Sequence, residues 1–300
     1  MLFLDGVGGG VLDPARNPLA CARLPALAGL AGGGLPDGIR RSPTMLMLDA
    51  TLGVEGLPQS GTGQTALFTG VNAAERIGKH FGPWAHSQLH TVIAQQSLFS
   101  RLSRRGVKAC FANAFPGRFF DFAARRRSRL TVTTLSCLAA GTRLRDAADL
   151  ATGRAISADI NAEGWRALGH EFIERRSPAE AGAVLARLSR EYAFVLFEYW
   201  WPDRAGHARD MAQAVAVLEK FDALLLGILE GIDLTRTLLL ITSDHGNIED
   251  LSTKSHTRNP VPLIAVGSGA DSLLLSIGDL PAASLTSVTP ALLEVLGMPA

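Results

Sequence analysis

Short apolar runs alternate along the chain with longer segments whose apolar residues recur at helical spacing. Strands that are covered on both faces lose the polar alternation of exposed strands, so each short run predicts a buried parallel strand. The predicted strands begin at residues 1, 107, 193, 237 and 262. The helical patterns span residues 96–106, 177–192, 211–232 and 287–297. This order of strand, helix and strand predicts an α/β fold.

Capping signals at the ends of the helical patterns support this interpretation. Ser177 is predicted to be an N-cap, because Pro178 suits the first helical position and Glu180 completes a capping box. Gly106 and Gly297 follow the last periodic residues of their segments and are expected to end those helices.

The repeated alternation predicts a doubly wound, mainly parallel sheet with helices on both faces, formed by a single domain over residues 1–300. Residues 113–165 interrupt the alternation and are predicted to form a small insert or an elaborated crossover within that domain. The Gly-rich stretch 27–38 is predicted to be a loop between early elements. The basic residues within 125–129 are expected to form a solvated face.

The composition favours a small molecule as the partner. The chain has 300 residues, of which 47% are hydrophobic, and its formal net charge is +1. This balance gives no electrostatic reason to expect nucleic acid or an anionic membrane. The three cysteines lie far apart without CxxC spacing, which fits a reducing compartment. With no signal-peptide pattern and no apolar run of membrane-spanning length, a cytoplasmic location is expected.

Acidic residues and histidines follow three of the predicted strands. Because ligands bind beyond the carboxyl ends of the strands in open α/β sheets, these side chains are expected to meet at one edge. The residues concerned are Asp5, Asp203, His207, Asp244, His245 and His256. A mixture of carboxylate oxygens and imidazole nitrogens suits Zn²⁺ or Mn²⁺, whereas sites for Mg²⁺ are usually built from oxygen alone.

A second polar segment, "SGTGQTALFTG" at residues 60–70, places hydroxyl groups and glycines directly before an apolar helical pattern. Amides at such a helix start are expected to bind an anion. A serine or threonine at this position is a candidate nucleophile if a metal stabilises its alkoxide. The candidates are Ser60 and Thr62.

In chain order, the motifs "DGVG", "SGTGQTALFTG", "DRAGH", "SDHGN" and "SHTRNPVP" resemble the metal-binding core of the alkaline phosphatase superfamily. They are most similar to those of cofactor-independent phosphoglycerate mutase and phosphopentomutase. The motifs span almost the whole chain, and DHGN followed by HT-x-x-P-V-P is the most discriminating of them.

The resemblance implies two divalent metal ions, with Mn²⁺ or Zn²⁺ favoured and Mg²⁺ as a further candidate. It assigns Asp203, His207 and His256 to one ion. It assigns Asp5, Asp244 and His245 to the other, together with the oxygen of the nucleophile.

The same resemblance bears on the nucleophile and its neighbours. In these families the reactive hydroxyl is followed four residues later by a position that is histidine in the mutases. Counting back from Gln64 selects Ser60 as the nucleophile, with Thr62 as the alternative. Gln64 departs from the mutase pattern, and a contact with the transferring phosphate is one role it could take by hydrogen bonding. Arg258 is a candidate either for binding a substrate phosphate or for pairing with a nearby carboxylate.

The implied function is phosphoryl transfer from a small phosphorylated metabolite through a phosphoserine, either as a phosphomonoesterase or as a phosphomutase. The resembled mutases carry a substantial cap domain, and the short insert at 113–165 favours hydrolysis because water would reach the phosphoenzyme more easily. Two alternatives are a phosphodiesterase or nucleotide pyrophosphatase, and a non-catalytic metal-binding member of the same fold. Trp200 and Trp201 are expected to pack beside the metal-binding loop.

Overall fold

A six-stranded sheet runs through the part of the chain that the computed structural model describes, residues 1–32 and 45–298. Its strands are β1 (Leu2–Leu4), β2 (Met45–Leu48), β3 (Ala109–Phe111), β4 (Phe194–Tyr199), β5 (Leu238–Ser243) and β6 (Val261–Gly267). Their order across the sheet is β2-β6-β5-β1-β4-β3. The five predicted strands are therefore present, and β2 is an additional strand at one edge.

Four of the strands pair in parallel, and the other two are joined to the sheet by antiparallel pairing. Strands β3, β4, β1 and β5 pair in parallel, whereas β6 is antiparallel to β5, and β2 is antiparallel to β6. The expectation that the run at 262 forms a parallel strand is therefore wrong. A parallel neighbour needs a crossover to the opposite edge of the sheet. The segment between β5 and β6 contains no helix and stays at the carboxyl edge of β5, so the chain re-enters the sheet in the reverse direction.

Helices cover both faces of the sheet. They are α1 (Pro25–Gly32), α2 (Ser60–Thr69), α3 (Ala73–Ile77), α4 (His90–Gln96), α5 (Leu98–Arg104), α6 (Gly117–Arg125), α7 (Val132–Ala139), α8 (Ala147–Ala151), α9 (Glu163–Ala167), α10 (Pro178–Glu191), α11 (Trp201–Ala208), α12 (Met211–Gly231), α13 (Ala270–Gly278) and α14 (Val288–Val295). Short 3-10 turns lie at Pro18–Ala20, Ser87–Leu89, Arg127–Arg129 and Leu285–Ser287.

The predicted capping box is present at the start of α10. The Ser177 side chain accepts from the amide of Glu180, and the Glu180 carboxylate accepts from the amide of Ser177 at 2.7 Å. Gly297 follows α14 with a φ of +70°, a left-handed conformation that glycine adopts without steric cost.

The two faces of the sheet carry separate hydrophobic clusters. Phe3 of β1 packs into the cluster that includes α2, α5 and α14, whereas Leu2 and Leu4 pack into the cluster with α10 and α12. Strand β5 divides its side chains in the same way. This burial on both faces explains why these strands read as unbroken apolar runs in the sequence.

The predicted insert at 113–165 contains α6, α7, α8 and most of the short helix α9. A small cluster of its own lies here and includes Leu150, Ala155 and Trp165. The loop predicted for 27–38 is wrong over residues 27–32, which belong to α1, and the rest of it lies outside the described residues. Among the described helices, none combines the length and the apolar character needed to cross a membrane.

Candidate metal centre

The carboxyl ends of the three central strands deliver acidic side chains to one place. Asp5 follows β1, Asp244 follows β5, and Asp203 lies in the first turn of α11 just beyond β4. Leu4 at the end of β1 is in register with Tyr199 of β4 and with Ser243 of β5. The prediction that these carboxylates share one edge is met because β1 lies between the other two strands.

The first cluster surrounds the ring nitrogen Nε2 of His245, a residue with no exposed surface. This nitrogen lies 3.0 Å from Ser60 Oγ, 3.1 Å from Asp5 Oδ1 and 3.6 Å from Asp244 Oδ2. One ring nitrogen carries at most one hydrogen, so it cannot satisfy three oxygen atoms. Asp5 Oδ1 is buried without a hydrogen bond among the described residues.

The second cluster contains Asp203, His207 and His256. Asp203 Oδ1 lies 3.4 Å from His256 Nε2, and Asp203 Oδ2 lies 3.4 Å from His207 Nε2. The two Nε2 atoms are 3.3 Å apart. The rings of His245 and His256 stack with centroids 3.9 Å apart, so the two clusters adjoin.

Backbone carbonyls orient the two histidines of the second cluster. Nδ1 of His207 lies 2.7 Å from the carbonyl oxygen of Lys254, and Nδ1 of His256 lies 2.7 Å from that of Pro58. A carbonyl can only accept, which assigns the hydrogen of each neutral ring to Nδ1 and leaves a lone pair on Nε2. Two facing lone pairs 3.3 Å apart repel each other unless a cation lies between them or one ring gains a proton.

The charges of the site point to the same need for a cation. Burial and the charge of Asp5 raise the pKa of Asp244 well above its usual range. Burial opposes a charge on His245, but the carboxylates of Asp244, Asp5 and Asp203 raise its pKa to about 10. The three carboxylates around His245 therefore stabilise a positive charge at this place. Divalent cations fit this donor set, since ligand atoms of Asp5, Asp244 and His245, and likewise of Asp203, His245 and His256, lie within 4.8 Å of one another.

Helix α2 brings its first residue to this site. Ser60 begins the helix, and its hydroxyl contacts His245. Thr62 is fully buried and faces the loop after α3, and its hydroxyl accepts from the amide of Phe81 in that loop. The same hydroxyl donates to the carbonyl of Gln59, just before α2. Of the two candidate nucleophiles, Ser60 is the one in contact with the cluster.

The amides behind Ser60 are less available than the sequence suggested. The amide of Thr62 donates to Phe81, and that of Gly63 donates to Gln59. The Gly61 amide has no partner among the described residues. A side chain at Gly61 would collide with the backbone of Phe81 and Trp84, so a glycine is needed for this close approach. Of these three amides, only that of Gly61 stays available to an anion at the start of the helix.

Gln64 and Arg258 lie differently from the other predicted residues. The amide nitrogen of Gln64 donates to Asp244 Oδ2 at 3.2 Å, and its oxygen is buried without a partner among the described residues. Arg258 is exposed and donates to the carbonyl oxygen of Gly56 at 2.8 Å. Its guanidinium therefore contacts neither a carboxylate nor the metal cluster among the described residues, and phosphate binding by Arg258 stays a prediction.

Glu249, three residues after Gly246 of the DHGN motif, holds the surrounding loops together. Its carboxylate accepts from the amides of Gly8 and Asn247 and from the side chains of Thr257 and Asn259. These bonds tie the loop after β1 to both parts of the segment between β5 and β6.

Two features near the site were not found from the sequence. The first is a cavity of about 370 Å³ bordered by Ser60, Asp203, His207 and His256, which is the opening over the clusters. The second is Glu198 on β4, a buried carboxyl whose pKa burial raises to about 7. The hydrogen bond from Thr133 lowers this pKa, and the charge of Asp5 raises it further. An acidic residue inside the apolar run at 193 was the signal for it.

Known proteins resemble the chain at both the sequence and the fold level. Residues 174–300 match the model of the metalloenzyme superfamily. The 2,3-bisphosphoglycerate-independent phosphoglycerate mutase of Thermomicrobium roseum is 36% identical over 124 residues, which cover 39% of this chain and 24% of the mutase. The corresponding mutase of Desulforudis audaxviator is 32% identical over 123 residues, which cover 39% of this chain and 23% of that protein.

The solved structures establish the fold. The alkaline phosphatase from the Antarctic bacterium TAB5 superposes with a TM-score of 0.58 at 13% identity, covering 100% of this chain and 98% of that one. The PH0037 protein from Pyrococcus horikoshii gives a TM-score of 0.55 at 17% identity, covering 89% of this chain and 84% of that one. The expected alkaline phosphatase-like α/β fold is thereby confirmed.

The solved structures show an alkaline phosphatase-like fold, and the family model that matches part of this fold is that of the metalloenzyme superfamily. The match to the metalloenzyme superfamily is confined to residues 174–300, and the similarity to phosphoglycerate mutase extends over 124 residues. It spans about a quarter of the length of the mutases that it matches.

Proposed function

We propose that the chain is a metal-dependent phosphoryl-transfer enzyme that acts on small phosphorylated metabolites as a phosphomonoesterase or phosphomutase. The observation that carries this proposal is the convergence of Ser60 Oγ, Asp5 Oδ1 and Asp244 Oδ2 on His245 Nε2. A serine hydroxyl among buried acidic ligands suits nucleophilic attack better than it suits any packing role.

The proposed ligands of one cation are Asp5, Asp244, His245 and Ser60, and those of the other are Asp203, His207 and His256. When bound, Mn²⁺, Zn²⁺ or Mg²⁺ supplies charge for the phosphate oxygens and lowers the pKa of the serine hydroxyl.

The side chains have distinct tasks in the proposed reaction. Ser60 Oγ attacks the phosphorus in line with the leaving oxygen and forms a phosphoserine, which water or an acceptor hydroxyl then resolves. The backbone carbonyls at Pro58 and Lys254 keep the histidine rings in the orientation that the site needs. The free amide of Gly61 is positioned to donate to an oxygen of the transferring group.

Hydrolysis is favoured over transfer between positions of one substrate. The elements at 113–165 are short helices, and the opening over the clusters is bordered by the exposed side chain of His207. Water therefore has a path to a phosphoserine at residue 60, which a closed cap would deny it.

The test is a screen of phosphorylated metabolites with each of the three metals on the wild type, Ser60→Ala and Thr62→Val. We expect Ser60→Ala to lower kcat by at least about a thousandfold, since the covalent route is lost. Thr62→Val, which removes a hydroxyl that bonds only to the backbone, should keep kcat within about tenfold and lower stability by about 1 kcal/mol.

Phosphate release and acid-stable labelling of the protein by ³²P-labelled substrate are the two readouts. Full turnover by Ser60→Ala would exclude the serine as nucleophile. Turnover of bis-esters in preference to mono-esters would instead support a phosphodiesterase, and isomerised substrate without phosphate release would support a mutase.

A further inference from the structure

A second cavity, of about 370 Å³, lies at the carboxyl edge of β3 and β4. We call it the aromatic cavity because rings dominate its walls, namely Phe111, Phe115, Phe119, Phe122, Trp165 and Trp200. Phe115 and Phe119 stack at 4.2 Å, and Trp200 stacks on Trp201 at 4.7 Å. Cavities of this size with aromatic walls suit the flat rings of small organic molecules.

Two structural links connect the aromatic cavity to the proposed centre. Trp201, in its wall, is two residues before Asp203 on the first turn of α11. Arg129, also in its wall, stacks over the ring of Trp84 at 5.5 Å, and the backbone carbonyl of Trp84 lies against Gly61 beside the proposed nucleophile. Helix α11 and the contact between Arg129 and Trp84 therefore link the wall of the aromatic cavity to the elements that carry Asp203 and Ser60.

One polar group of the wall has unused hydrogen-bonding capacity. Glu198 is only 6% exposed, and its Oε2 accepts from Thr133 Oγ1 at 2.6 Å. Its other oxygen, Oε1, has no hydrogen-bond partner among the described residues. The neighbouring Asn113 bonds to the backbone of Glu198 through both ends of its amide and so cannot supply that partner. Because Glu198 lines the aromatic cavity, Oε1 is free to accept a hydrogen bond from a ligand there.

We propose that the aromatic cavity holds the organic part of the substrate, which would be the phosphate ester of a flat aromatic alcohol that donates a hydrogen bond to Glu198. That the ligand is a phosphate ester rests on the proposed phosphoryl transfer. Binding of the ring in the aromatic cavity does not depend on it. The phosphate would lie at the metal clusters while the ring fills the space beyond Trp201.

Binding is tested first, at about pH 8.5 on the Zn²⁺-loaded protein, with indole and N-methylindole as probes in saturation-transfer NMR. At this pH the carboxyl of Glu198, whose pKa burial raises to about 7, is ionised and can only accept. The two rings differ in one N–H donor, so we expect indole to bind about tenfold more tightly. Glu198→Met, which removes the acceptor at similar volume, should bring the two affinities within about twofold. An equal affinity of the wild type for both probes would contradict the assigned role of Glu198.

A matched pair of surface phenylalanines tests the place of binding. Phe122 lines the aromatic cavity and is 40% exposed, so Phe122→Ala should not disturb the core. Phe172 is 62% exposed and lies outside the cavity wall. We expect Phe122→Ala to weaken indole binding about tenfold and Phe172→Ala to leave it unchanged. Equal affinities in the two variants and the wild type would overturn the proposal.

Turnover separates this inference from the proposed function. Phe122→Ala should lower kcat/KM for 2-naphthyl phosphate about tenfold while keeping that for glycerol 3-phosphate within about twofold. Indole binding at Phe122 without turnover of either ester would refute the phosphoryl transfer and keep the cavity as a binding site. Equal losses for both esters would refute the cavity as the site of the organic group.

Discussion

At the scale of single residues, Gln64 shows how one side chain orients a neighbour that we propose as a metal ligand. Its amide donates to Asp244 Oδ2 and so limits the directions in which that carboxylate can point. A contact with the transferring phosphate was one role expected for Gln64 from the sequence, although the residue departs from the mutase pattern. The hydrogen bond to Asp244 gives Gln64 a second task, the positioning of a proposed ligand.

Gln64→Ala tests that positioning role. We expect the affinity for one of two Mn²⁺ ions to fall about tenfold, since outer hydrogen-bond partners commonly contribute that much. Chelator competition followed by elemental analysis measures the loss per site. Gln88→Ala, at an exposed position outside both clusters, is the matched control. Unchanged affinity at both sites in Gln64→Ala would show that Asp244 needs no such support.

The sequence revealed the residue types of this site better than their orientation. Asp244 and His245 were recognisable because they directly follow an apolar run that ends at a sheet edge. The tasks of the Pro58 and Lys254 carbonyls were not, because any residue has a carbonyl and Pro58 is 198 residues away from His256 in the chain. Local patterns carry side-chain chemistry, whereas contacts between distant backbone atoms arise only when the chain folds.

At the scale of elements, α10 and α12 illustrate the same division. The start of α10 was predicted because its capping box lies within four consecutive residues. The close crossing of the two helices was not predicted, although both contribute a glycine to it. A side chain at Gly182 would collide with the carbonyl of Leu224, and one at Gly227 with that of Ala179. The direction of β6 was missed for a comparable reason, since strand pairing is a long-range property.

The helix crossing makes Gly227→Ala a sensitive substitution. Alanine favours a helix, but its methyl group would push α12 away from the backbone of α10, at a cost of about 2 kcal/mol in the free energy of unfolding. Urea denaturation measures the change. Gly117→Ala in α6 meets no atom within 4 Å and should be neutral within about 0.5 kcal/mol. Equal effects of the two substitutions would mean that the crossing can relax.

On β4, Glu198 makes stability depend on pH. Burial raises its pKa to about 7 from the value of 4.5 expected in the unfolded chain. Between these values the folded protein binds a proton that the unfolded chain has lost, so the free energy of unfolding falls as the pH rises through this window. We therefore compare the free energy of unfolding of Glu198→Gln with that of the wild type at each pH. The difference should favour the variant more at pH 8 than at pH 4.5, by on the order of 2 kcal/mol.

Urea denaturation of both proteins at the two pH values, with a chelator present throughout, gives this difference. Titration of the metal-site side chains is common to both proteins and cancels in the comparison. A stability difference that does not vary with pH would show that the fold does not raise the pKa of Glu198.

At the scale of the whole molecule, the sheet brings together charges that an apolar fold would otherwise keep apart. The three central strands each end in a carboxylate, and the pKa of Asp244 is raised by burial and by Asp5. Function of the kind proposed here would require this concentration of negative charge, because it attracts divalent cations. The same concentration of negative charge lowers the stability of the fold when no cation is bound, which is the usual conflict between a reactive site and stability.

Asp244→Asn separates the two effects. In the presence of a chelator the substitution should raise the free energy of unfolding by about 1–3 kcal/mol, because the folded protein no longer has to bury or protonate this carboxyl and the hydrogen bond from Gln64 can remain. Excess Mn²⁺ should stabilise the wild type by about 3 kcal/mol at a hundredfold excess over Kd, and the variant by clearly less. Thermal unfolding with and without Mn²⁺ measures both quantities, and Asp279→Asn at the exposed end of α13 is the control. An equal gain from Mn²⁺ in Asp244→Asn and the wild type would exclude Asp244 from the cation site, and the acidic edge of the sheet would then need another explanation.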